Sequence, residues 1–122
     1  MSAKIMIVDD SRMSRNTLRR ILEPVGYDVV EAEEGIRALE LYFVAKPDLV
    51  LLDLVMKGMD GLDVLTKLRE MDQQARIVVA SADIQKSTRS MVDEAGATAF
   101  ITKPFSPEEV LAAVKGALGE HS

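Results

Sequence analysis

Five residues that can bind a metal ion or a phosphoryl group follow short apolar segments of this chain. Ligands of open parallel sheets bind beyond the carboxyl ends of the strands, so a sheet built from these segments would gather the five residues into one site. Carboxylate oxygens suit Mg²⁺, while a lysine and a hydroxyl can neutralise phosphoryl oxygens, with one aspartate as the nucleophile. The pattern therefore predicts phosphoryl chemistry. The five residues are Asp9, Asp10, Asp53, Ser81 and Lys103.

The apolar segments alternate with helical patterns, which is typical of repeated βαβ units and a parallel sheet. Right-handed crossovers place all the carboxyl ends of such strands on one edge, so the five residues should converge. Crowded carboxylates repel one another, and we expect a raised pKa for at least one of them. The predicted strands are Lys4–Val8, Tyr27–Ala32, Leu49–Leu52, Arg76–Ser81 and Ala99–Thr102.

Five helices are predicted between and after these strands from apolar residues at helical spacing and from capping signals. The fourth has a thin apolar stripe, which makes it a candidate moving part. The last has Ser106 as its N-cap, Pro107 at its first position and Glu109 closing a capping box. The residues expected on the apolar faces are Leu18, Ile21, Leu22 and Val25; Ile36, Leu39 and Phe43; Val64, Leu65, Leu68 and Met71; Ile84, Thr88, Met91, Val92 and Ala95; and Val110, Leu111, Val114 and Leu118.

Length and composition favour one globular domain. The chain has 122 residues with 48% hydrophobic content and no apolar run near the ~20 residues that span a bilayer. It has no cysteine and no signal-peptide pattern, so we expect a cytoplasmic protein without membrane insertion. A net charge of −5 argues against general binding to nucleic acid.

Each candidate residue also has an ordinary structural interpretation. Asp9 and Asp10 could cap the first helix, Ser81 could be an N-cap, and Lys103 could lie in solvent. The functional interpretation depends on the coincidence of such residues at the ends of four strands.

Five short motifs occur in a fixed order along the chain. They are Asp9-Asp10 after IMIV, Asp53 after LVLL, the loop MKGMDG with Met56, Met59 and Gly61, Ser81-Ala82 after IVVA, and KPF at Lys103 to Phe105. With these motifs, the chain resembles the receiver domain of two-component response regulators, and in particular the single-domain chemotaxis regulators. The resemblance implies an α/β fold, with a five-stranded parallel sheet in the order 2-1-3-4-5 flanked by five helices, as in flavodoxin-like proteins. It covers residues 1–122 and implies no output domain.

The resemblance implies that Asp53 is the phosphoacceptor. It would attack the phosphohistidine of a sensor histidine kinase, or a small phosphodonor, and form an acyl phosphate. Asp10, Asp53 and the backbone carbonyl of Val55 would bind Mg²⁺ directly, and Asp9 would bind it through water. Such a protein catalyses its own phosphorylation and dephosphorylation, but it acts as a signalling protein.

The resemblance also implies a switch. Ser81 and Lys103 would contact phosphoryl oxygens, and Phe100 would move inward with Ser81, changing the face of the fourth helix, fifth strand and fifth helix that binds a target protein. A Phe in a buried strand is also ordinary core. The Lys103–Pro104 bond is expected to be cis.

Lys57 departs from the family pattern, and a pair of residues tunes it. Lys57 replaces the usual Pro of the loop after Asp53. Val55 and Asp83 would flank the water that hydrolyses the acyl phosphate, so they would set its lifetime; Asp83→Ala should change the dephosphorylation rate several-fold.

Other functions remain open from the sequence. The chain could be a phosphorelay intermediate, a phosphate sink, or a degenerate receiver that binds partners without phosphorylation. A haloacid dehalogenase-type phosphatase would need a second Asp at Val55, and Asp9-Asp10 would repel a flavin phosphate. A basic helix face could bind a kinase or lie in solvent. Its residues are Arg12, Arg15, Arg19 and Arg20.

Overall fold

Strands and helices alternate along the chain as the sequence predicts. A computed structural model describes residues 2–56, 58–82 and 86–120. The elements are β1 (Lys4–Val8), α1 (Arg12–Leu22), a short 3₁₀ helix (Glu23–Val25), β2 (Asp28–Ala32), α2 (Gly35–Ala45), β3 (Leu49–Leu52), α3 (Gly61–Met71), β4 (Ile77–Ser81), α4 (Lys86–Glu94), β5 (Ala99–Thr102) and α5 (Pro107–Leu118).

The five strands form one parallel sheet in the order β2-β1-β3-β4-β5, which confirms the predicted fold class. The first strand is central enough to pair with both β2 and β3. Val8 lies opposite Leu52, and the backbone amide of Asp53 donates to the Val8 carbonyl oxygen at 2.9 Å. This register brings the first residues after β1 and β3 to the same level at one sheet edge.

Apolar residues cover both faces of the sheet. Residues 5–8 of β1 are fully buried, as expected for a strand between two helical layers. One face packs against α2, α3 and Val92 of α4, and the other packs against α1 and α5. Burial on both faces fixes the strand ends, and therefore the residues that follow them.

The predicted apolar face of α2 is confirmed for Leu39, which packs against the core, and is wrong for Ile36 and Phe43. Ile36 is 58% exposed and Phe43 is 74% exposed, whereas Gly35 and Ala38 are buried. A Cβ atom on Gly35 would lie 2.7 Å from the Val64 side chain. The helix lies so close to α3 at Gly35 that only a small residue fits there, while Ile36 and Phe43 face outward.

Smaller corrections concern ends and edges. Tyr27 and Arg76 lie just before β2 and β4. Met71 and Met91 are about half exposed, at 46% and 51%, because they lie at the edges of the apolar faces of their helices. Ile84 lies outside the described residues.

Candidate functional site

Three carboxylates converge at the carboxyl edge of the sheet. Asp9, Asp10 and Asp53 each place one oxygen within 4.8 Å of the others. Asp9 and Asp53 are buried, while Asp10 is exposed and opens the cluster to solvent. The convergence predicted from the strand ends is confirmed for these residues.

Lys103 joins the cluster from β5. Its Nζ lies 2.9 Å from Oδ2 of Asp9 and 3.6 Å from Oδ2 of Asp53. The side chain of Lys103 is only 21% exposed, so the alternative that this lysine lies in solvent is wrong. The Lys103–Pro104 peptide bond is cis, as the resemblance implies. One ammonium therefore contacts two buried carboxylates.

The turn after β1 is shaped by local hydrogen bonds. The Ser11 amide donates to Oδ1 of Asp9 at 2.9 Å, and the Ser11 hydroxyl oxygen accepts from the Ser14 amide at 3.2 Å. Ser11 is thus the N-cap of α1, as predicted. Asp9 has one oxygen on this turn and the other on Lys103, so the carboxylate is held from both sides.

Asp53 is an unusual carboxyl group. Burial raises its pKa first, the negative charge of Asp9 raises it further, and Lys103 only partly offsets these effects. The amide of Val55 lies 3.4 Å from Oδ1 of Asp53. The expected raised pKa is found, although burial contributes more to it than the crowding that predicted it.

The remaining candidates lie around this cluster. Ser81 is fully buried at the end of β4, and its carbonyl oxygen accepts from the Lys103 amide at 3.0 Å, so Ser81 belongs to the same sheet edge. The side chain of Val55 is 67% exposed. Phe100 is half-buried on β5, with the Arg89 guanidinium 5.2 Å from its ring centre. Lys57 and Asp83 lie outside the described residues.

Two further residues shape the site, and sequence reasoning did not assign them these parts. A Cβ atom on Gly61 would lie 2.4 Å from the Asp53 carbonyl oxygen and 2.4 Å from Leu54 Cα, so only glycine lets α3 begin against this peptide. Arg15 donates from Nη1 to the Asp9 carbonyl oxygen at 2.8 Å. In the sequence, Gly61 is part of the MKGMDG motif, whereas Arg15 is one of four arginines on a basic helix face.

The donor set fits magnesium. Carboxylate oxygens are hard ligands, and Mg²⁺ usually takes one or two protein carboxylates and keeps several waters. The exposed Asp10 beside the buried Asp53 offers that combination, and an excess of negative charge favours a cation. The site could therefore hold a divalent metal ion.

Among the described residues, α1 to α5 are all too short or too polar to cross a lipid bilayer.

The chain matches the model of the response regulator receiver domain over residues 5–115. It is 42% identical to the chemotaxis protein CheY of Bacillus subtilis (strain 168), covering 97% of this chain and 99% of CheY. It is 40% identical to the response regulator MprA of Mycobacterium ulcerans (strain Agy99), covering 97% of this chain and 51% of MprA.

A solved relative has the same fold. A chain of the CheX-CheY-BeF₃-Mg²⁺ complex from Borrelia burgdorferi superposes with a TM-score of 0.89 at 31% identity, covering 93% of this chain and 87% of that one. The family model, the identity to CheY over nearly its whole length and the similarity of fold all indicate one family. The chain therefore belongs to the family of response regulator receiver domains.

Proposed function

We propose that this protein is the phosphoacceptor of a two-component system and that it takes a phosphoryl group on Asp53 from the phosphohistidine of a sensor kinase. The observation that carries the proposal is a buried carboxylate whose neighbours are two other carboxylates and a lysine. Phosphoryl oxygens repel a carboxylate nucleophile, and a metal ion and a lysine beside it can neutralise those oxygens.

In the proposed step, a carboxylate oxygen of Asp53 attacks phosphorus, a P–O bond forms and the P–N bond to the donor imidazole breaks. The leaving imidazole nitrogen takes a proton, and the product is an acyl phosphate on Asp53. Burial protects that product from general hydrolysis, since only 5% of Asp53 is exposed. The nucleophile must be ionised, and the raised pKa of Asp53 disfavours ionisation. A bound cation would favour the ionised form, so we expect the reaction to depend on the cation.

Each neighbouring residue has a defined part in this proposal. Asp10, Asp53 and the Val55 carbonyl would hold Mg²⁺, which supplies charge neutralisation when bound, and Asp9 would act through water. Lys103 would exchange one of its carboxylate partners for a phosphoryl oxygen, and the Ser81 hydroxyl would donate to another.

The proposed output is a change of the face formed by α4, β5 and α5, which would bind a target protein. The half-buried ring of Phe100 supports this, because it lies on β5, packs against the core cluster that includes Val92 of α4, and has the Arg89 guanidinium of α4 over its ring. The chain is about as similar to CheY of B. subtilis as to MprA of M. ulcerans, so identity does not separate a chemotaxis pathway from another one. A cytoplasmic location and a role of Val55 and Asp83 in acyl phosphate lifetime belong to the same proposal.

The test is intact mass after incubation with Mg²⁺ and acetyl phosphate, quenched quickly because an acyl phosphate is labile. We expect the wild type and Asp63→Ala to gain one phosphoryl group and Asp53→Ala to gain none. Asp63 is a matched control, since it is an exposed aspartate at the start of α3.

Uptake by Asp53→Ala would reject Asp53 as the acceptor. No uptake by the wild type, either from acetyl phosphate or from a phosphorylated histidine kinase, would favour a receiver that signals without phosphate.

A further inference from the structure

Arg15 of α1 connects the acidic site to the neighbouring strand β2. Its Nη1 donates to the Asp9 carbonyl oxygen at 2.8 Å, and its Nε donates to Oε1 of Glu31 at 2.8 Å. Only 12% of the Arg15 side chain is exposed. The planar guanidinium makes both contacts at once, which a lysine could not do with the same geometry.

The strand register explains why Glu31 is available. Glu31 pairs with Ile7 across β1 and β2, and Ile7 packs against the residues of α1 that cover this sheet face. Glu31 therefore lies under α1, next to the peptide that follows β1. Arg15 fills the space between them and ties the end of β1 to β2.

The charge of Arg15 is compensated nearby. Glu31 also accepts from Arg19 at 2.6 Å, Arg19 pairs with Glu23 at 2.8 Å, and Nη2 of Arg15 lies 4.0 Å from Oε2 of Glu33. Two arginines therefore meet three glutamates. Burial alone would raise the pKa of Glu31, but the hydrogen bonds from Arg19 and Arg15 lower it on balance. The group contributes hydrogen bonds to the site without adding net positive charge that would oppose a metal ion.

We propose that Arg15 is a positioning residue for the divalent cation: by holding the Asp9 carbonyl, it fixes the peptide between Asp9 and Asp10 and so the place from which both carboxylates extend. This inference rests on the proposed function, because it assumes that Mg²⁺ binds at the acidic cluster. Removing a residue that orients the metal ligands without contacting the metal commonly weakens metal binding by about 10-fold to 100-fold.

The test compares Arg15→Met with Arg19→Met. Methionine keeps an unbranched side chain and removes every guanidinium donor. Both variants lose one positive charge and one partner of Glu31, but only Arg15 contacts the Asp9 peptide. Mg²⁺ affinity is measured by calorimetry on the unphosphorylated proteins, and the free energy of unfolding is measured in EDTA.

We expect Arg15→Met to bind Mg²⁺ about 10-fold more weakly than the wild type, and Arg19→Met to bind it as tightly or slightly more tightly. Loss of positive charge alone does not weaken cation binding, so weaker binding in Arg15→Met alone would come from the lost contact with the Asp9 peptide. If Arg15→Met does not fold in EDTA, Arg15→Lys replaces it, with weaker binding again expected, since a single ammonium cannot make both contacts.

Equal Mg²⁺ affinity of wild type and the Arg15 variant would overturn the inference and leave the proposed function intact. Equal weakening in the Arg15 and Arg19 variants would also overturn it, because it would assign the effect to the loss of support for Glu31. A wild type that binds no Mg²⁺ would overturn both the inference and the proposed metal-dependent function.

Discussion

The proposed role of Asp53 as a nucleophile places two opposing requirements on this residue. A nucleophilic carboxylate must be charged, whereas burial and the neighbouring Asp9 disfavour the charge and raise the pKa of Asp53. Lys103 compensates only in part, at 3.6 Å. Without a metal ion, the ionised site therefore lowers the stability of the folded protein.

Asp53→Asn is expected to stabilise the metal-free protein at neutral pH by about 1 kcal/mol, the scale of a relieved contact between like charges. The sign follows from linkage: a raised pKa means that the folded state binds the proton more tightly, so the wild type gains stability as the pH falls through that pKa. The difference between the two proteins should therefore shrink on acidification. Urea unfolding in EDTA across the acidic range measures it.

Saturating Mg²⁺ serves as the control for this substitution. The wild type should then be the more stable protein, because the ion binds its folded state through Asp53. Identical urea midpoints in EDTA at neutral pH would contradict the strain assigned to Asp53.

The sequence was sufficient to predict which side chains meet, because strand ends order Asp9, Asp53 and Lys103 without any knowledge of packing. It was not sufficient for Arg15. The two contacts of Arg15 depend on the register between β1 and β2 and on where α1 crosses these strands. The spacing of arginines along a helix predicts neither the register nor the crossing point.

At the scale of elements, the start of α3 and the end of β3 are in direct backbone contact. The amide of Gly61 donates to the Leu54 carbonyl oxygen at 3.0 Å, and no side chain fits between Gly61 and the Asp53 peptide. Asp53 is thus supported by a helix terminus, in addition to the sheet.

Gly61→Ala is expected to destabilise the protein by about 2 kcal/mol, because the new methyl group meets backbone atoms that cannot move independently. It should also slow phosphoryl uptake by displacing Asp53. Urea unfolding and the rate of mass gain with acetyl phosphate measure the two effects.

Gly116→Ala on α5 is the matched control, since a Cβ atom there meets nothing within 4 Å. It should stabilise the protein by about 0.5–1 kcal/mol, as expected for a helix interior. A Gly61→Ala protein as stable and as reactive as the wild type would mean that β3 and α3 adjust freely.

The α2 helix illustrates what periodicity misses. Ile36, Leu39 and Phe43 follow helical spacing, and the helix is indeed present, but its buried side is marked by Gly35 and Ala38. The distance between two packed helices decides whether large or small residues face inward. Hydrophobicity along the chain predicts that a helix forms without determining that distance.

For the whole molecule, the site is assembled from four strands, so metal binding and global stability are linked. Asp9 and Asp10 follow β1, Asp53 follows β3, Ser81 ends β4, and Lys103 follows β5. The strand order and the convergence were predictable because parallel α/β connections allow few topologies. A ligand bound at this edge stabilises the fold as a whole.

Mg²⁺ at about 100 times its dissociation constant is expected to raise the free energy of unfolding of the wild type by about 2.7 kcal/mol. Asp10→Asn should lose most of this gain, because it removes the exposed carboxylate of the cluster. Thermal or urea unfolding with and without Mg²⁺ measures the change.

Asp63→Asn, at an exposed position of α3, should keep the full gain. A gain retained in Asp10→Asn but lost in Asp63→Asn would place the ion away from the converged carboxylates.

Lys103 has a consequence for how the chain is made. Its ammonium, 2.9 Å from Asp9 and 3.6 Å from Asp53, is an internal counterion that is encoded in the polypeptide. A newly synthesised chain can close its sheet over these two buried carboxylates without capturing an ion first, unlike small zinc domains that stay unfolded until they are loaded. Folding of the chain therefore does not depend on the supply of metal ions. The fraction of sites with a bound ion can change with the ion concentration while the protein stays folded.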